Sequence, residues 1–97
     1  MKVATLSDRN EVFQRNPDLI GALIDNELVM MSAEKGQYYG LAGVGLRIWE
    51  LLEQPRGFDQ LVDQILDEFE VGREECQQDM AQFLKQMLEL GLVKRLK

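Results

Sequence analysis

Two pairs of carboxylates, Asp63 with Asp67 and Glu75 with Asp79, stand four residues apart, the spacing that brings side chains together on one face of a helix. Such a pair supports acid–base chemistry when burial or a close partner separates the two pKa values. Both pairs fall in stretches rich in other acids, so an exposed acidic face accounts for them. The lone cysteine, Cys76, has no histidine to pair with, because the chain contains none. Without histidine the usual zinc sets cannot be assembled within the chain. Cys76 also sits in an apolar stripe, where a thiol is structural; reactive cysteines need an electropositive, partly exposed setting. Ser7, Ser32 and Thr5 lie outside any nucleophile motif. Gly36, Gly40, Gly43 and Gly45 come near a phosphate loop but lack its lysine and its strand-loop-helix order. Gly43 and Gly45 are expected instead to permit close packing at the start of a helix. No catalytic residue, metal site or cofactor site emerges, and a recognition module that is not an enzyme is expected.

With 97 residues, 45% of them hydrophobic and 29% charged, the chain is ordinary globular material and makes one domain. Residues 1–10 are expected to be a flexible N-terminus, and residues 11–97 the domain. A core of this size suits a peptide groove better than a deep enclosed pocket. No apolar run is long enough for a signal peptide or a membrane span, and a single cysteine fits a reducing compartment. A cytoplasmic protein is expected. The formal charge of −6 is concentrated between Phe58 and Asp79, where eight acids face the single base Arg73. Such a surface repels phosphate, on whose neutralisation nucleic-acid affinity is largely built. Lys94, Arg95 and Lys97 are too few to reverse that.

The elements that must position any site follow from periodicity and turn chemistry. A short strand is expected at Val12 and Phe13, ending before Pro17. Strands over 19–24, 27–32 and 37–41 then form a meander whose last member is an edge. Asp25-Asn26 suits a tight hairpin turn, since both residues tolerate positive φ, and Ala33 to Gly36 makes the second turn. Everything after Ala42 reads as helix. The first helix is expected to run to about Gln54, stopped by Pro55, with Leu41, Val44, Ile48, Leu51 and Leu52 as its apolar set. The second starts near Phe58, with Phe58, Leu61, Val62, Ile65, Leu66 and Phe69 at helical spacing, and breaks at Val71-Gly72. The third covers roughly 73–90, with Glu74 and Glu75 suited to its N-terminus. Cys76, Met80, Phe83, Leu84, Met87 and Leu88 form its stripe and Gly91 its stop; Leu92-Val93 returns as a brief strand. Three strands followed by three helices make an α+β domain of winged-helix-like composition.

Several of these runs together carry a resemblance. Asp25-Asn26-Glu27-Leu28-Val29-Met30-Met31, Tyr38-Tyr39-Gly40-Leu41, Gly45 and Ile48-Trp49-Glu50-Leu51-Leu52 occur in that order. They continue through Pro55, Leu61-Val62, Phe69-Glu70-Val71, Cys76, Asp79, Phe83-Leu84 and Gly91-Leu92-Val93. In order and spacing they resemble the PqqD-like proteins over about four-fifths of the chain. The tyrosine pair, the Ile-Trp-Glu-Leu-Leu run and Cys76 are most similar to the stand-alone leader-binding proteins of lasso-peptide biosynthesis. Relatives commonly carry Asn where this chain has Ala42, a poor helix cap.

The resemblance implies a RiPP recognition element that binds the leader segment of a ribosomal precursor peptide. It implies a leader added as an extra strand against the third strand of the meander, in a groove beside the third helix. It further implies delivery to a leader peptidase, work alongside a macrolactam-forming cyclase, and no cofactor. On this reading Gln37, Tyr38, Tyr39, Gly40 and Leu41 form the pairing strand, with Tyr38 or Tyr39 lining a pocket. Cys76, Met80, Phe83 and Met87 are candidates for an apolar wall, and Asp79 for a polar contact. The opposing reading of the helix residues is that they are core. Two alternatives remain open at this stage: a peptide chaperone of another pathway such as quinone-cofactor synthesis, and a winged-helix DNA-binding regulator. Glu74, Glu75, Asp79 and Glu89 on the would-be recognition helix argue against the regulator.

Overall fold

Asp25 and Asn26 both adopt positive φ, 51° and 66°, as a tight two-residue hairpin turn requires. The turn fixes the register of the sheet around it. In the computed structural model, which describes residues 11–17, 19–32 and 36–96, β1 is Val12–Arg15, β2 Ile20–Ile24, β3 Glu27–Ser32 and β4 Gln37–Ala42. Helix α1 spans Gly43–Leu51, β5 Arg56–Gly57, α2 Phe58–Glu68, α3 Arg73–Glu89 and β6 Val93–Arg95. The expected flexible terminus, residues 1–10, lies outside the described residues, as do three positions of the second turn, residues 33–35.

The expected meander is present as an antiparallel sheet of order β2-β3-β4, so β4 is an edge. The α+β architecture also has a second antiparallel sheet, order β5-β1-β6, which the sequence reading did not anticipate. In it, β1 pairs on one side with Arg56–Gly57 and on the other with Val93–Arg95. These partners are too short for any periodic signal. Phe13, fully buried, anchors β1 on the core.

Helix α1 ends at Leu51, short of the expected Gln54. Pro55 disfavours helix at the residue before it and has no N–H to offer the Leu51 carbonyl. The earlier stop arises because Leu52 leaves helical geometry and the Arg56 side chain donates to the Leu51 carbonyl at 3.0 Å. Val44, expected in the buried stripe of α1, is 40% exposed. Gly57 precedes α2 and donates its N–H to the Gln60 Oε1 at 2.7 Å, satisfying one orphan donor at the helix start. Its buried face is Phe58, Leu61, Val62 and Ile65. The helix stops at Glu68, before Val71-Gly72, because Phe69 is already extended.

Helix α3 ends as expected at Gly91, whose φ is +77°. There the Leu92 N–H bonds the Met87 carbonyl at 2.9 Å and the Gly91 N–H the Leu88 carbonyl at 3.1 Å, which is the Schellman arrangement. One core joins Phe13, Met30, Ile48, Leu52, Leu61, Ile65, Met80, Leu84 and Leu92. On its surface Arg47 of α1 ties down Glu68 of α2 by hydrogen bonds of 2.8 and 2.9 Å.

Candidate functional site

The hairpin turn dictates which backbone groups of the sheet are free. Ile24 and Glu27 flank the two-residue turn, so they form a hydrogen-bonded pair, and every second pair after them does too. On β3, Glu27, Val29 and Met31 therefore bond toward β2, while Leu28, Met30 and Ser32 bond toward β4. On β4, Gln37, Tyr39 and Leu41 are spent on β3. The N–H and C=O groups of Tyr38 and Gly40 point away from the sheet, and nothing pairs with them among the described residues.

Side chains alternate in the same rhythm. Tyr39 and Leu41 face inward and pack against the core, and the Tyr39 hydroxyl donates to the Gln37 Oε1 at 2.9 Å. Tyr38, 73% exposed, stands on the opposite face with Gly40. Strand β4 passes directly into α1. Ala42 is the residue before the helix and makes no side-chain cap bond, so the absent Asn is not replaced by another side chain at that position. Gly43 makes the corner, with φ +59°. A side chain there would meet nothing within 4 Å, so its role is conformational and not the close packing expected of it. Gly45 does have that packing role: a Cβ would lie 3.3 Å from the Phe83 ring and 3.7 Å from Leu41.

At this corner a cleft of about 410 Å3 opens between the first turn of α1, the α2–α3 link and α3. Val44, Gly45 and Ile48 line one side, Phe69, Glu70 and Val71 the end, and Cys76, Asp79, Met80 and Phe83 the other side, with Ile65 at the base. Cys76 and Met80 are buried, so they form its floor, whereas Phe83 is half-buried and Asp79 exposed at its rim. Met87 is 5% exposed and belongs to the core outside this cleft. The structure thus gathers four of the five helix candidates, and it sets the cleft at the end of the strand that holds the other five. Val44, Gly45, Ile48, Ile65, Phe69, Glu70 and Val71 were not among the candidates. Phe69 and Val71 carried a signal, being apolar residues at and beyond the end of the α2 stripe.

The cleft lining is mostly apolar, with Glu70 and Asp79 as its charged members. Burial first, and then the charge of Asp79, push the Cys76 thiol above its ordinary pKa, against a smaller opposing pull from Arg73. It stays a protonated, weakly nucleophilic thiol at neutral pH. Among the described residues no three His, Cys, Asp or Glu side chains come together as a metal site. Among the same residues no helix is long and apolar enough to cross a membrane. A larger hollow of about 500 Å3 lies beneath β2 and is lined in part by Arg15, Leu23, Leu46 and Trp49. None of the sequence-derived site residues reaches it.

Comparison with known proteins gives the arrangement its context. Residues 27–93 match the family described as Coenzyme PQQ synthesis protein D (PqqD). The fold is similar to that of TbiB1 in complex with the TbiA(beta) leader peptide, at TM-score 0.75 and 33% identity, covering 84% of this chain and 94% of that one. It is also similar to a lasso peptide synthetase B1 complexed with the leader peptide, at TM-score 0.74 and 22% identity over 84% of this chain and 96% of that one. The second likeness is one of fold alone. No curated protein matches the chain. The family match over most of the chain, joined to the identity with TbiB1, shows that this chain belongs to the PqqD family.

Proposed function

We propose that the chain is a leader-peptide binding protein of ribosomal-peptide biosynthesis, of the lasso type, that takes its guest by strand addition. The single observation that carries this reading is the unpaired margin of β4, running into an apolar cleft beside α3. An extended guest antiparallel or parallel to β4 bonds the outward groups of Tyr38 and Gly40, which supplies affinity without regard to sequence. Selectivity then comes from guest side chains on the inner face, which meet Phe83 and the cleft floor, with Asp79 available for a polar contact. The likeness to TbiB1, which was solved with a leader peptide bound, supports leader-peptide binding by this chain.

The protein supplies no chemistry of its own on this reading. It holds the precursor in extended form and presents it to a leader peptidase, with a macrolactam-forming cyclase acting on the released core. Gln37, Tyr38, Tyr39, Gly40 and Leu41 are the strand, and Cys76, Asp79, Met80 and Phe83 the cleft. Met87 lies in the core and is not part of that lining.

The test is a fluorescence-anisotropy titration of a labelled lasso-type leader peptide with the full chain. Association in the micromolar range or tighter is expected, lost when proline or a charge is placed in the peptide's pairing segment. A leader from a quinone-cofactor precursor is the competing titrant. Preference for that peptide would move the protein to the other pathway, and binding of neither would sink the reading.

A further inference from the structure

The outer margin of β2 is a second open strand edge. Nothing pairs with it among the described residues. It also lacks the devices that usually protect such an edge: β2 contains no charged residue and no proline, and its register with β3 runs without a bulge. Leu23 and Ile24 on it are 61% and 55% exposed. Ile20, Ala22 and Ile24 spend their backbone groups on β3, so those of Gly21 and Leu23 point outward. Beneath this margin lies the hollow of about 500 Å3, with Leu19, Leu28, Leu46 and Trp49 among its lining.

We propose that this margin joins a second copy of the same chain, the two β2 strands running antiparallel about a two-fold axis at Ala22. In that register Gly21 of each copy faces Leu23 of the other, and their outward N–H and C=O groups bond reciprocally. The seam is self-complementary in size. At Gly21 a Cβ would stand 3.2 Å from the Leu28 Cδ1 and 3.4 Å from the Met30 Cγ, so the chain's own side chains fill that place and glycine adds no bulk of its own opposite Leu23 of the second copy. Ala22 meets its own twin, where a larger residue would crowd the axis.

Net charge opposes association, but not at this seam. Two copies of a chain with net charge −6 repel one another, and β2 is a stretch where they meet without placing a charge in the seam. The three-stranded sheets merge into one of six strands with both β4 strands outermost. Dimerisation therefore leaves the peptide edges open, and the proposal stands independently of the functional reading.

Size-exclusion chromatography with light scattering on the full chain tests it. The mass should rise with concentration toward twice the 11.2 kDa of one chain, and added salt should favour the dimer by screening repulsion. Leu23→Lys places a charge in the seam and should raise the dissociation constant about ten-fold or more, while circular dichroism stays unchanged because the residue is exposed. In a Cys76→Ser background, Ala22→Cys should form an intermolecular disulfide on mild oxidation, since facing Cα atoms of a non-bonded antiparallel pair lie about 4.5 Å apart. Ile24→Cys should not, because its twin lies roughly 13 Å along the seam. A monomer at every accessible concentration, a dimer that Leu23→Lys leaves intact, or equal cross-linking at both positions would overturn the proposal.

Discussion

Phe83 and Leu84 are neighbours on α3 with opposite surroundings, and truncating each separates binding from folding. Leu84 is fully buried, while Phe83 is half-buried in the wall of the cleft against Gly45. Leu84→Ala removes a core side chain and leaves a cavity, at a cost of about 3 kcal/mol. In a domain of this size that corresponds to a melting temperature lower by roughly 12–24 °C. Phe83→Ala vacates space already open to water and should cost about 1–2 kcal/mol. Its larger effect falls on the guest. A peptide side chain that covers roughly 50 Å2 of the ring gains about 1.3 kcal/mol from it, close to ten-fold in affinity. Urea denaturation measures the first quantity and anisotropy titration of the labelled leader peptide the second. Phe83→Ala should bind about ten-fold more weakly while remaining well folded, and Leu84→Ala, measured where it is still folded, should bind within about two-fold of the parent. Equal destabilisation by both, with unchanged binding by Phe83→Ala, would show that Phe83 is core and that the cleft is not where the guest lies.

Three further outcomes follow from single features. Gly43→Ala should destabilise by about 1–2 kcal/mol in urea titration, although the new methyl touches nothing, because φ of +59° is unfavourable for a residue with a Cβ; an unchanged midpoint would mean that α1 starts differently. Arg47 holds the Glu68 carboxyl below its ordinary pKa, with Gln64 assisting. A depressed acid stabilises above its unfolded pKa and loses that contribution as pH falls through the folded one, so the stability gap between parent and Glu68→Gln should be present at neutral pH and close in acid. A gap that persists in acid would refute an ionic origin. Cys76 should react with iodoacetamide far more slowly than a free thiol at mildly alkaline pH, and more slowly again with leader peptide bound; a reactive thiol would contradict its burial in the cleft floor.

Much of the scaffold was legible because its causes are local. The stripe Phe58, Leu61, Val62 and Ile65 marks the buried face of α2. Asp25-Asn26 makes the turn that both residues' tolerance of positive φ predicts, and Gly91 closes α3. Elsewhere a local signal was read too simply. Gly43 and Gly45 look alike in sequence, yet one relieves a backbone conformation and the other admits a phenylalanine ring. Pro55 marks the end of a helix, but the helix stops at Leu51, whose carbonyl, without a donor from that proline, takes the Arg56 side chain instead.

The sequence by itself determined the helices, the meander and the absence of histidine chemistry, since dihedral preference and apolar spacing act over a few neighbouring residues. Only the tertiary structure decided that Val12–Arg15 pairs with segments more than forty and about eighty residues away. It also separated Phe83 from Leu84 and Met87 from Met80, and left both margins of one sheet unpaired among the described residues. A stripe tells which side chains must leave water, but their neighbours are chosen by how the helices and sheets close on one another. Whether a given apolar residue ends in the core or in a cleft is decided there.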